Sequence, residues 1–61
     1  MTKIINEKKY YMHHVATARG YVSRKGDPIV VPYNGRFGKG YVIHEPRYDS
    51  TQYHWVTYYI G

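Results

Sequence analysis

The chain has 61 residues, with nine Lys plus Arg against four Asp plus Glu, a net charge of +5, four His and no Cys. These counts exclude disulfides and thiolate metal sites as stabilisers, and an excess of this sign favours anionic partners such as nucleic acid, acidic proteins or membrane headgroups. No apolar run approaches the ~20 residues of a membrane span, and Met1-Thr2-Lys3-Ile4-Ile5-Asn6-Glu7 lacks the apolar run of a secretory signal, so the expected setting is cytoplasmic, with no membrane.

Nine Tyr, two Ala and no Leu make the chain poor in helix formers. Its apolar residues are Ile, Val, Tyr and Trp, the types that fit a pleated, half-buried surface. The polar Asn6-Glu7-Lys8-Lys9 sets off a lead-in over residues 1–8, expected to be flexible. Tyr10 to Thr17 reads as a first strand, with Gly20 as a bend before Tyr21-Val22-Ser23. Arg24-Lys25-Gly26-Asp27-Pro28 is a turn. Ile29 to Tyr33 is a second strand, expected to lie at an edge or to end at Pro32, which cannot donate to a ladder. Asn34-Gly35 signals a hairpin, lengthened by Arg36-Phe37-Gly38-Lys39. Gly40 to Glu45 is a third strand, stopped by Pro46. Arg47-Tyr48-Asp49-Ser50 turns the chain into Thr51 to Ile60, the longest strand. Short strands with turn signals at this spacing predict one all-β domain over residues 1–61, an SH3-like barrel of four to five short antiparallel strands.

The last strand is apolar or aromatic on both sides, whereas a half-solvated strand alternates apolar with polar. Val56 and Ile60 mark the expected core face, which leaves Tyr53, Trp55 and Tyr59 as an aromatic stripe on the other. Such a stripe either packs beneath the N-terminal segment or a second copy in a homodimer, or stays exposed as a binding platform.

Lys25-Gly26-Asp27-Pro28-Ile29-Val30-Val31, followed by Gly35-Arg36-Phe37-Gly38-Lys39-Gly40-Tyr41-Val42, resembles the KOW motif of ribosomal and transcription-elongation proteins. The resemblance spans residues 25–43. It implies an SH3-like barrel in which Arg36 and Lys39 are loop contacts to RNA or ribosomal protein and Gly40 is the motif glycine. Pro28, Pro32 and Tyr41 depart from the residue types usual there. Lys39-Gly40-Tyr41 also begins like the RNP1 pattern, but Val42 stands where that pattern needs Gly or Ala.

Nucleic-acid binding requires cations to displace counterions and flat rings on which bases stack. Residues 36–41 supply both, with Arg36 and Lys39 as cations and Phe37 and Tyr41 as rings; Arg24, Lys25 and Arg47, with Arg19, extend the patch. The alternative is a solvated hairpin whose Phe37 folds back onto the barrel. His13 and His14 point to opposite faces of a regular strand. His44 and His54 face each other if the last two strands pair about Asp49, but two imidazoles alone do not form a structural zinc site. No nucleophile signature appears, and Asp27 and Asp49 read as turn residues. The expectation is therefore a non-enzymatic module with no catalytic residue, metal or cofactor and with little room for a ligand pocket. Its leading partner is RNA or DNA. The alternative is a protein partner, as for a small adaptor or inhibitor encoded by a phage or other mobile element, using Tyr, Trp and Arg as hot spots.

Overall fold

The computed structural model describes residues 1–20, 22 and 25–61. Tyr21, Ser23 and Arg24, expected in a strand continuation and a basic turn, lie outside the described residues. The strands are β1 (Thr2–Ile5), β2 (Lys8–Arg19), β3 (Ile29–Gly35), β4 (Gly38–Pro46) and β5 (Tyr53–Ile60). All pair antiparallel in one sheet of order β1-β2-β5-β4-β3. Among the described residues no helix occurs, hence none long and apolar enough to cross a membrane.

The all-β expectation holds, and Pro32 does sit in an edge strand. Closure into a barrel is not seen: the sheet stays open, with β1 and β3 as its two edges. Within residues 1–8, Thr2–Ile5 pairs with Tyr11–Lys8. Asn6 and Glu7 form the turn between them, both at positive φ, 51° and 65°. Two residues of that hand match the twist of a two-residue hairpin. The β3–β4 hairpin is tighter than expected, with Gly35 opposite Gly38 and only Arg36-Phe37 between them. Gly38 takes φ 122°, a conformation open to glycine. In the β4–β5 turn, the Ser50 hydroxyl accepts the N–H groups of Gln52 and Tyr53.

Strand β2 carries an irregularity that decides which side chains face which way. Tyr11 and Met12 pair with Ile60 and Tyr59, whereas His14 pairs with Tyr58, leaving His13 as the extra residue of a bulge. An inserted residue inverts the alternation on one side of it. Val15, Thr17 and Arg19 therefore share a face with Tyr10 and Met12 rather than with His13. That face, which also carries Ile43, Thr57 and Tyr59, holds the core cluster of Tyr10, Ile43 and Tyr59, with Ile5 and Tyr41 packed against it.

Two expectations change as a result. The core cluster lies on the face opposite to the Val56 and Ile60 side. Tyr59 is not part of an exposed stripe, being 8% exposed. The cause is the bend of β2, which carries the β1–β2 hairpin over this face until Asn6 donates to the Tyr41 hydroxyl at 3.0 Å. The opposite face is not bare, because Val42, His54 and Val56 are buried there too. Rings screen one end of it: Phe37 lies edge-on to Tyr58 at 5.4 Å, and Tyr33 lies edge-on to Tyr58 at 5.2 Å.

Candidate functional site

The sheet opens where β5 runs out. Tyr11 and Gly40 are the partners of Ile60 on either side. Beyond that point β2 and β4 continue with only Gly61 between them, whose N–H donates to the Lys39 carbonyl at 3.1 Å. The gap forms a groove of about 390 Å³ lined by Lys8, Tyr10, Pro32, Tyr33, Asn34, Lys39, Gly40, Tyr41 and Gly61. The sequence left little room for a pocket of ordinary ligand size, and the structure corrects this, since ligand clefts begin at roughly 300 Å³. The reason is architectural: an open sheet with one short central strand leaves a recess that a closed barrel would fill.

Each wall is fixed by local chemistry. Tyr10 and Tyr41 meet edge to face at 5.3 Å, a favoured arrangement for aromatic pairs. Asn6 holds the Tyr41 hydroxyl. The Tyr33 hydroxyl accepts the Phe37 N–H at 3.3 Å. Gly40 is required by close approach, because a Cβ there would stand 2.0 Å from the Tyr59 carbonyl oxygen. The cations Lys8 and Lys39 rise from strands on either side of β5, both exposed. Across the gap Lys39 is level with Tyr10, and Lys8 lies further along β2. With strands roughly 4.8 Å apart and a rise of roughly 3.3 Å per residue, the two stems start roughly 12 Å apart, and two long lysine side chains can converge on one anion.

The structure brings together only part of the expected site. Lys39 and Tyr41 line the groove. Arg36 is exposed at the hairpin tip beside it. Phe37 folds back onto the opposite face, its ring 4.7 Å from His13 and 5.9 Å from His14. It is therefore a structural ring, although 37% exposed. Lys25 belongs to the connection whose ends, Arg19 and Ile29, lie at the far end of the sheet from the β3–β4 hairpin.

Arg47, also at the far end, is already engaged. It donates twice to the Asp49 carboxylate, at 2.9 and 2.7 Å, and lies 4.5 Å from the centre of the Trp55 ring. The ion pair holds the Asp49 carboxyl below the usual carboxylate range. Beside it, Arg19 donates to the Tyr53 hydroxyl at 3.0 Å. Tyr53 and Trp55 remain 36% and 38% exposed, so two of the three expected stripe rings form a cation-backed surface.

The histidines depart from the regular-strand reading. Adjacent His13 and His14 both reach Phe37 because the bulge lies at His13. His44 and His54 are diagonal neighbours, since His44 pairs with Val56 and Pro46 with His54. Their Nδ1 and Nε2 atoms are 2.8 Å apart and share one hydrogen. Burial, then the charge of His44, pushes the His54 imidazolium to a lower pKa. Among the described residues no group of three His, Cys, Asp or Glu side chains is placed to hold a metal.

Sequence reasoning missed Lys8, Tyr10 and Asn34 as parts of the site. The available signal was Asn6-Glu7 between Ile4-Ile5 and Tyr10-Tyr11, a two-residue hairpin turn led by Asn. Comparison of the chain with protein-family models, with curated proteins and with solved structures gives no match.

Proposed function

We propose that the chain is a non-enzymatic module that binds nucleic acid, RNA or DNA, through the groove between β2 and β4. One observation carries this reading: Lys8 and Lys39 flank a recess whose walls include the rings of Tyr10 and Tyr41, the Tyr33 ring being turned to the opposite face against Tyr58. Cations over a ring-lined concavity are what phosphate neutralisation and base stacking require. Among the described residues no carboxylate or imidazole lines it, which supports binding rather than hydrolysis. The net charge of +5 adds long-range attraction for a polyanion. We read the open, bent sheet as an SH3-like barrel left unclosed between β3 and β1, with residues 25–43 as its KOW-like strand-turn-strand unit. Contacts between β1 and β3 measured in solution would support that fold reading, and their absence would count against it. For function, the test is fluorescence anisotropy of labelled oligonucleotides over a salt series. Affinity should fall steeply as salt rises, because phosphate contacts release counterions. Absence of binding at low salt, or binding insensitive to salt, rejects the reading.

A second reading has its own observation. Trp55 with Arg47 stacked on it, and Tyr53 with Arg19, form an ordered surface of the residue types that dominate protein interfaces. It would serve a protein partner or a second copy. Trp55→Ala should then abolish a stoichiometric complex while leaving the fold and the salt-dependent oligonucleotide binding intact. If Trp55→Ala unfolds the chain, the stripe is structural and this reading falls.

A further inference from the structure

We infer that the groove accepts an unpaired nucleotide, with its base against the tyrosine walls and its phosphate between Lys8 and Lys39, so that the ligand is a single strand rather than a duplex. This rests on the nucleic-acid reading above and narrows it.

Shape is the first argument. The recess is concave and about 390 Å³, near the lower end of small-ligand sites, which suits one nucleotide unit rather than several. A duplex shows its base edges at the floor of its own grooves, so reading it takes a protruding helix or ribbon. A recess instead takes a group that protrudes from the ligand, and a splayed, unstacked base is such a group.

The second argument is how the walls are held. Tyr10 is 8% exposed and cannot swing out; it forms a fixed floor. Tyr41 stands edge-on to it and is tethered by Asn6. Rings fixed before the ligand arrives lose little freedom on stacking, which favours affinity. Asn34, paired in register with Lys39, places an amide with donors and an acceptor at the rim, where a base edge would lie.

Charge placement is the third. The two groove cations stand on opposite sides of the opening, on β2 and β4, and do not form a stripe along the molecule. Arg19 and Arg47 are at the far end and already engaged by Tyr53, Trp55 and Asp49. A tracked duplex backbone needs a row of contacts, whereas a single phosphate in a recess needs a pair.

The experiment compares a labelled oligothymidylate with the same strand annealed to its complement, at low salt, for wild type, Lys8→Ala and Lys39→Ala. Thymidine monophosphate, inorganic phosphate and polyglutamate serve as competitors, and circular dichroism confirms that each variant is folded. The single strand should bind at least about tenfold more tightly than the duplex. Each lysine variant should weaken it by several-fold and lower the salt slope by about 0.7. The monophosphate should compete better than inorganic phosphate.

Equal or tighter binding of the duplex overturns this inference while leaving the nucleic-acid reading standing, as does single-strand binding indifferent to both lysines. Competition by polyglutamate as effective as that by the oligonucleotide overturns it in favour of an acidic protein ligand. Failure of both strands to bind removes the nucleic-acid reading itself.

Discussion

Ile43 is the residue on which the two-sided sheet turns. Its side chain is fully buried, and it packs with Tyr10 and Tyr59 beneath the groove. Ile43→Ala removes three carbon groups at about 0.8 kcal/mol each, roughly 2.4 kcal/mol by transfer alone. The cavity left behind raises the cost to about 3 kcal/mol, within the range for buried Ile to Ala changes. A chain of this length has a total stability of roughly 3–9 kcal/mol, so the variant should lose a third or more of it. Urea unfolding followed by Trp55 emission is the natural assay, because the chain has one Trp. With a slope of about 1 kcal/mol per molar urea for so small a domain, the midpoint should fall by roughly 2–3 M. Val31→Ala is the control: Val31 is 42% exposed on the edge strand, and its loss should cost about 1 kcal/mol or less. A midpoint shift for Ile43→Ala no larger than that for Val31→Ala would refute the placement of the core.

Three further outcomes are expected. His54 is held neutral by burial and by the neighbouring charge of His44, so its folded pKa lies below the unfolded value; stability is then full above about pH 6.5 and declines as pH falls from there toward the folded value, and a urea midpoint flat from about pH 8 to 5 would contradict this. Glu7 sits at φ 65°, where a side chain costs about 1–2 kcal/mol and glycine does not; after subtracting glycine's greater unfolded freedom, Glu7→Gly should stabilise by about 0.5–1 kcal/mol, and a lowered melting temperature would show the turn to be unstrained. Deleting His13 removes the bulge but leaves Met12 opposite Tyr59 and His14 opposite Tyr58, so Lys8 and Tyr10 should keep their face and oligonucleotide binding should persist, while loss of the His13 contact with Phe37 lowers the urea midpoint; a folded deletion variant that no longer binds would show that the register is not what holds the groove.

Much of the fold was legible because it rests on local chemistry. Absence of Leu, the Val-Ile-Tyr stretches and the turn residues define β2 to β5 within a few positions, and Pro32 correctly marks an edge. The choice of core face was not legible. Val56 and Ile60 are the aliphatic side of β5, and reading from aliphatics assigned them the core. Residue type alone could not reveal the bulge at His13, since a bulge depends on pairing with β5, and only its inversion of the alternation brings Tyr10 over Tyr59. The site was half legible for the same reason. Lys39 and Tyr41 are contiguous with the hairpin signal, whereas Lys8 and Tyr10 reach the groove through the pairing of β2 with β5, where Tyr11 meets Ile60, far away in the chain.

The surplus of rings, which first pointed to a binding surface, separates into distinct roles once the pairing is known. A single sheet has no second layer, so each face must be covered by what the sheet itself supplies. On one face the bent β1–β2 hairpin does this, with Tyr10 and Tyr59 as the filling. On the other, Phe37, Tyr33, Tyr58 and His14 lie over one another in place of a layer. Rings suit that task because each removes roughly 150–250 Å² from water while tolerating a wet edge. Aromatic abundance is therefore largely the consequence of folding 61 residues with no Leu and no Cys. The case for binding must rest on the rings left over from that work. Tyr41 is at the groove between two lysines, and Tyr53 and Trp55 are backed by arginines. In each place a ring lies close to a cation, and that juxtaposition is stronger evidence for a ligand than the tyrosine count.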